Sequence, residues 1–328
     1  MAYTTINDPT AYFQVKTWTG TAATNALTFG GATAMAPDLV WIKNKSTAYD
    51  HHLYDTTRGV QKAYASNNAE AESTKTTGLT AFGSDGFTVG DDNGVNKSGD
   101  GIVAYSWKES ATSGFDIVQF EGNQTARTIS HSLSAVPKFM YIKNREYNDG
   151  ANIYHVSNGA THTMEIAGNW AANAASSIWN DTTPTDSVMS VGSNGNINKT
   201  DDNITVYLWA EKQGYNKFGS YKGNGNADGP FIYTGFRPAW ILTKMSSGAD
   251  NWQVCDHKRD IDNSVYSQLM PDNSDAENAG DAKVDFLSNG FKIRKAGGSW
   301  NGSGSTFIYV AFAEAPLVNS SGIPCNAR

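Results

Sequence analysis

The feature that most limits what this chain can fold into is a period. "PDLVWIKNKS" from Pro37, "PKFMYIKNRE" from Pro137 and "PAWILTKMSS" from Pro238 begin 100 and then 101 residues apart, and each is an apolar, aromatic or β-branched run ending in a lysine-containing turn. A second set, "GIVAYSWKES", "NITVYLWAEK" and "TFIYVAFAEA", closes on Glu109, Glu211 and Glu314, at spacings of 102 and 103. Weaker matches link the copy beginnings "VKTWTG", "FDIVQFEGN" and "NKFGSYKGN". Ser-Asx-Gly turns at Ser84, Ser193 and Ser288 supply the positive-φ positions of tight hairpins, so each copy is expected to fold two neighbouring strands against one another. Anchors in one order at one spacing mean tandem copies, and a unit of about a hundred residues is longer than a solenoid repeat.

Composition sets the class of each copy. Charged residues are 17% of the chain and glycine occurs 32 times, so short aromatic or β-branched runs alternate with Gly, Asn and Ser clusters. That pattern favours turn-rich β structure over helix. The expectation is an all-β chain of three tandem β-sandwich-like modules of the jelly-roll class, packed in an approximate threefold arrangement. Its boundaries are an N-terminal arm at 1–12, modules at 13–112, 113–213 and 214–316, and a C-terminal tail at 317–328. The Ala-rich stretch 161–180 contains Gly168 and paired Asn and Ser residues, which favour a loop over a helix. The acidic stretch 271–283 reads as a solvated loop.

A net charge of −7 without a Lys/Arg cluster argues against nucleic acid as a partner. No segment reaches membrane-spanning length and the first residues carry no secretory pattern. Two cysteines, Cys255 and Cys325, fit neither a disulfide framework nor a zinc spacing.

The opening "MAYTTINDPTAYFQ", the blocks "VWIKNKS" and "HHLYDTTRGV", the turn "FGSDGFTVG", "VAYSWKES" and the ending "VAFAEAPLVNSSGIPCNAR" together resemble repeat-containing virion structural or tail-fibre proteins of tailed marine bacteriophages. The likeness extends over nearly the full chain and is strongest in the first copy. It implies a non-enzymatic virion protein, whether tail fibre, capsid fibre or decoration protein, serving adhesion or particle reinforcement. Its implied partners are other virion proteins, further copies of itself (a trimer by analogy with fibres) and a host surface glycan. The alternative is a dedicated carbohydrate-binding receptor recogniser; a glycan depolymerase comes third.

The residues themselves nominate little catalysis. His51 and His52 are adjacent, so on a strand they face opposite ways and cannot share one ion; the other copies carry Ala151-Asn152 and Trp252-Gln253 there. Glu109, Glu211 and Glu314 occupy one repeat position, as a scaffold residue would. "DDNGVNKSGDG" from Asp91 and "KTDDN" from Lys199 lack the ligand order of a calcium loop. No cofactor, metal or catalytic set is therefore expected. Trp41, Trp107, Trp209 and Trp240 lie inside strand runs and read as core. Trp170, Trp179 and Trp300 lie in polar segments, "AGNWAAN", "SSIWND" and "GGSWNGS", and are the candidates for stacking on a sugar or docking a partner.

Overall fold

A computed structural model describes residues 3–325, so residues 1–2 of the expected arm and 326–328 of the expected tail lie outside the described residues. The chain is all-β, with antiparallel sheets and, among the described residues, only short helical turns.

Three large sheets repeat one strand order. The first runs Phe13–Thr19, Gly101–Trp107, Leu39–Asn44, His52–Asp55, Lys62–Ala65 and Ser73–Thr74. The second runs Phe115–Glu121, Asn203–Ala210, Pro137–Asn144, Asn152–His155, His162–Glu165 and Asn173–Ala174. The third keeps the first four places with Asn216–Lys222, Thr306–Pro316, Phe236–Met245 and Gln253–Asp256. The repeated sequence runs are thus the inner strands, in matched register: Leu39 opposite Trp107, Phe139 opposite Trp209 and Trp240 opposite Phe312.

Those runs are continuously apolar because they are buried on both faces. Along Leu39–Asn44 the side chains alternate. Val40 and Ile42 pack with Phe87 and Val89 of a small sheet, Asn25–Thr28, Gly86–Val89 and Leu79–Gly83. Leu39 and Trp41 face the other way, into a core shared with residues of the second and third segments. The second and third segments have their own small sheets, Arg127–Ser130 with Val188–Val191, and Phe231–Tyr233 with Gly290–Ile293 and Val284–Leu287. At the centre of the shared core the Trp107 ring lies 5.8 Å from Trp209, 5.7 Å from Trp240 and 5.7 Å from Phe312. Offset and edge-on aromatic packing of this kind adds stabilisation beyond the area buried.

In each segment a repeated asparagine in a helical turn latches the loop that leads from the large sheet to the small one. The side chains of Asn96, Asn198 and Asn301 accept from the backbone N–H of Thr21, Asn123 and Asn224 at 3.0, 3.1 and 2.7 Å. Their amides also donate to the carbonyls of Ala23, Thr125 and Asn226. The chain passes so close at this latch that a Cβ on Gly20, Gly122 or Gly223 would stand 2.0, 2.0 or 2.2 Å from a carbonyl oxygen, which only glycine permits.

The segments are joined cyclically. Between the first and second, Tyr207 donates to the buried Asp55 at 2.6 Å, Arg58 pairs with Asp55 and donates to Tyr207 at 3.0 Å, and Arg145 forks onto Glu72 with two bonds of 3.0 Å. Between the third and first the set recurs: Tyr105 donates to Asp256 at 3.0 Å, Arg259 pairs with Asp256, and Glu277 receives Arg259 at 2.8 Å. The second–third joint has no charge at this position; His155 Nε2 meets the Tyr309 carbonyl at 3.1 Å. Burial lowers the His155 imidazole to about 4, so it is neutral there. The repeated lysines also serve the joints: Lys43 donates to the carbonyl of Ser274 at 2.9 Å and Lys143 to that of Ala69 at 3.1 Å.

Three expectations change. The stretch 161–180 is not simply a loop, because it holds the strands His162–Glu165 and Asn173–Ala174 and the helical turn Ser176–Trp179. The Ser193 turn is not a hairpin: Asn194 caps the helical turn Gly195–Asn198, whereas Ser84-Asp85 and Ser288-Asn289 do connect paired strands. The stretch 271–283 is not simply solvated, because Ser66 donates to the Pro271 carbonyl at 2.7 Å and the Glu277 N–H to that of Lys45 at 2.8 Å. It clasps the third segment to the first.

Candidate functional site

Of the three nominated tryptophans, one is placed to meet a ligand. Trp179 and Trp300 are each 1% exposed, which removes them as platforms. Both lie in short helical turns that tuck the indole inward: Trp179 packs 5.9 Å from Tyr154, and Trp300 donates from its indole N–H to Gln268 at 2.8 Å. Trp170 is 60% exposed and stands at the edge of a cleft of about 530 Å³ in the second segment.

The cleft follows from local sequence. Its floor is the outer part of the second large sheet, with Asn152, Thr163 and Glu165; its far wall is the Asn194 cap and Asn196. The loop carrying Trp170 is pinned at both ends to the third segment, by Ala172 N–H to Ser246 at 2.9 Å and Asp250 N–H to the Asn169 carbonyl at 2.8 Å. Gly168 lies under the indole, where a Cβ would sit 2.4 Å from two ring carbons. One indole face is therefore held against backbone, and the ring is fixed without being covered.

The lining is half polar, with Asn152, Thr163, Glu165, Asn173, Asn194 and Asn196, and half apolar, and it is nearly uncharged. Asn152 accepts from Thr163 at 3.4 Å, and Asn194 donates to Ser177 at 3.3 Å while accepting from the Asn196 N–H at 2.8 Å. The carboxyl of Glu165 packs over Gly150. Burial first, and then the charge of Asp149, raises its pKa against the pull of Lys143. No Lys, Arg or His lines this cleft.

The same place in the first segment is filled. His52 pairs with Ile42 as Asn152 pairs with Ile142, so the two residues are register equivalents. The His52 ring lies against Gly94, where a Cβ would stand 2.8 Å from Nε2, and 6.2 Å from the Tyr54 ring. Asp92 and Gly94 stand where the second segment has Asn194 and Asn196, each pair opening a helical turn with the same cap bond. His51 turns the other way, 6.1 Å from Trp41. Both histidines are buried, at 1% and 4% exposure, and burial is the main cause holding His52 down at about 4.

The other nominated acids are engaged in the scaffold. Asp100 and Asp202 accept from Asn44 and Asn144 at 2.9 and 2.8 Å, and among the described residues no group of three His, Cys, Asp or Glu could hold a metal ion. Glu211 pairs with Lys217 at 2.6 Å and Glu314 with Arg237. Glu109 instead faces Asp116, and burial together with that neighbour pushes it up to about 7.

The family model for a domain of unknown function, DUF7483, matches residues 8–316, which takes in all three large sheets and the cleft. The chain belongs to the DUF7483 family. The match treats the three segments as one unit, in keeping with their shared core. No curated protein matches it significantly.

Proposed function

We propose that this DUF7483 chain is a non-enzymatic virion protein of a tailed bacteriophage that adheres to a glycan on the host surface. The observation that carries the adhesive part is the fixed, 60% exposed Trp170 beside an amphipathic, asparagine-rich cleft of about 530 Å³. A rigid apolar ring face next to amide and hydroxyl side chains suits a sugar ring, which has an apolar face and a polar rim. The virion setting rests on the sequence resemblance.

In this reading the segments 13–112, 113–213 and 214–316 are sandwich-like modules of the jelly-roll class, closed into an approximate threefold body, with the arm and tail beside one another. The matching sheet orders support it, as does the bond from the arm's Asn7 to Ser320 of the tail at 2.8 Å. Particle reinforcement is the second reading, favoured by the buried Asp-Arg-Tyr joints that tie the segments together. Copies of the chain assemble on the particle as a trimer.

Gold-labelled antibody against the chain tests the setting. Label on the exposed surface of intact particles, and competition by the free protein for particle adsorption to cells, is the expected result. Absence of the chain from purified particles overturns it. Light scattering of the purified chain at trimer mass supports the assembly, and a strict monomer that never binds particles contradicts it.

A further inference from the structure

We infer that the Trp170 cleft takes an uncharged pyranose unit, stacked on the indole and held at its hydroxyl groups by asparagine amides, and that it rejects carboxylated or sulfated sugars. This deepens the adhesion reading by naming the ligand class, and it rests on that reading only for its biological setting.

Three independent features converge. The first is preorganisation. Gly168 beneath the indole and the two backbone bonds to the third segment hold the Trp170 loop before any ligand arrives, so little ordering cost is left for binding. The second is the donor and acceptor set. The side chains of Asn173 and Asn196 line the cleft, and among the described residues no hydrogen bond engages either side chain. Asn152 and Asn194 add two more amides to the lining. An amide offers two donors and an acceptor side by side, and vicinal hydroxyls of a sugar ring present the complementary pattern. The third is charge. Glu165 is the one ionisable group lining the cleft and there is no cation, so an acidic sugar meets no compensating partner and is repelled.

The comparison within the chain sharpens this. The first segment has the same strand register, but an imidazole at 52 and no side chain at 94. There the ring of His52 fills the space that Asn152 leaves open in the second segment. In the third segment the outer strands shrink to the single bridges Val254–Leu269 and Gln268–Asn278, and the buried Trp300 donates to Gln268 there at 2.8 Å. The open site is thus produced by substitution at positions the scaffold leaves free to vary.

The test is titration calorimetry with hexasaccharides of β-1,3-glucan, α-mannan and N-acetylglucosamine as neutral probes, and of alginate and a sulfated galactan as acidic ones. Wild-type chain is expected to bind at least one neutral probe and neither acidic one. Trp170→Ala should weaken that binding roughly thirtyfold, the scale of a central aromatic anchor. Asn152→His, which imports the plug of the first segment, should reduce it about tenfold or more by filling the site. Trp170 is exposed, so Trp170→Ala is expected to keep the wild-type circular dichroism and melting curve, and its binding result stands even where Asn152→His fails to fold. Binding of the acidic probes alone, neutral binding unchanged in Trp170→Ala, or no binding of any neutral probe would each overturn the inference. Those outcomes leave the particle-labelling result untouched, so failure of the ligand class and failure of the virion setting are read separately.

Discussion

The first and second segments are built alike and finished differently. Both have six strands in one order, the same asparagine latch and the same buried lysine, yet the first is closed at the cleft position by His52 and charged at its joint through Asp55 and Arg58. The second is open at Asn152 and neutral at His155. The contrast teaches that strand order and core are fixed by the apolar runs, glycines and latch asparagines that recur. The chemistry of each segment is set by a few polar residues at matched register positions.

The largest expected effect separates the two joints. Arg58→Ala leaves the buried Asp55 carboxylate without its cation and should cost about 3–5 kcal/mol. Asn158→Ala, at the register equivalent in the second segment, should cost under about 1 kcal/mol, since it removes no buried charge. Urea unfolding of the two variants checks this, and equal losses would break the contrast.

Acid comes next. The folded His52 titrates at about 4, below its ordinary 6.5, so its contribution is fully present above pH 6.5 and is lost as pH falls from there through 4. A shift of this size corresponds to roughly 3 kcal/mol. His52→Asn, which gives the first segment the residue of the second, should flatten that part of the melting-temperature profile. An unchanged slope would mean that His52 does not carry the acid sensitivity assigned to it.

Sterics give a smaller effect. A methyl group on Gly94 would meet the His52 ring at 2.8 Å, so Gly94→Ala should destabilise by about 1–2 kcal/mol. Asn196→Ala, at the open equivalent, should stay within about 0.5 kcal/mol. The smallest expected change in stability is that of Gly168→Ala. Its methyl would displace an exposed indole, so thermal unfolding should be close to wild type while neutral-sugar binding falls about fivefold through lost preorganisation.

The β class and the inner strands were legible in the sequence because strands buried on both faces must be apolar throughout, and the period then repeats them. The Ser193 turn is out of period, lying 109 residues after Ser84 where the strand runs repeat at 100 to 103. Asn194 matches Asp92 at the cap of a helical turn, and the hairpin turn has no close copy in the second segment. Trp300 could have been recognised as core from the same period, since it falls where Val95 and Ile197 are buried, 102 and 103 residues apart in turn. Trp179 carries the same signal, since it falls 100 residues after the buried Leu79. Trp170 was legible as an exposed aromatic. Its cleft was not, because Asn152, Asn173 and Asn196 are distant in sequence and meet only through sheet pairing and the cap of a short turn. The charged joints were hidden for the same reason: Asp55 and Tyr207 are 152 residues apart.

The most direct test of the account is to map where a neutral hexasaccharide binds, by amide and indole NMR shifts on the intact chain. The account predicts perturbations gathered at the Trp170 indole and the side-chain amides of Asn152, Asn173 and Asn196, with none at His52 in the first segment. Perturbations centred instead on the exposed rings of Phe231 and Tyr233 in the third segment, with the Trp170 indole unmoved, would contradict it.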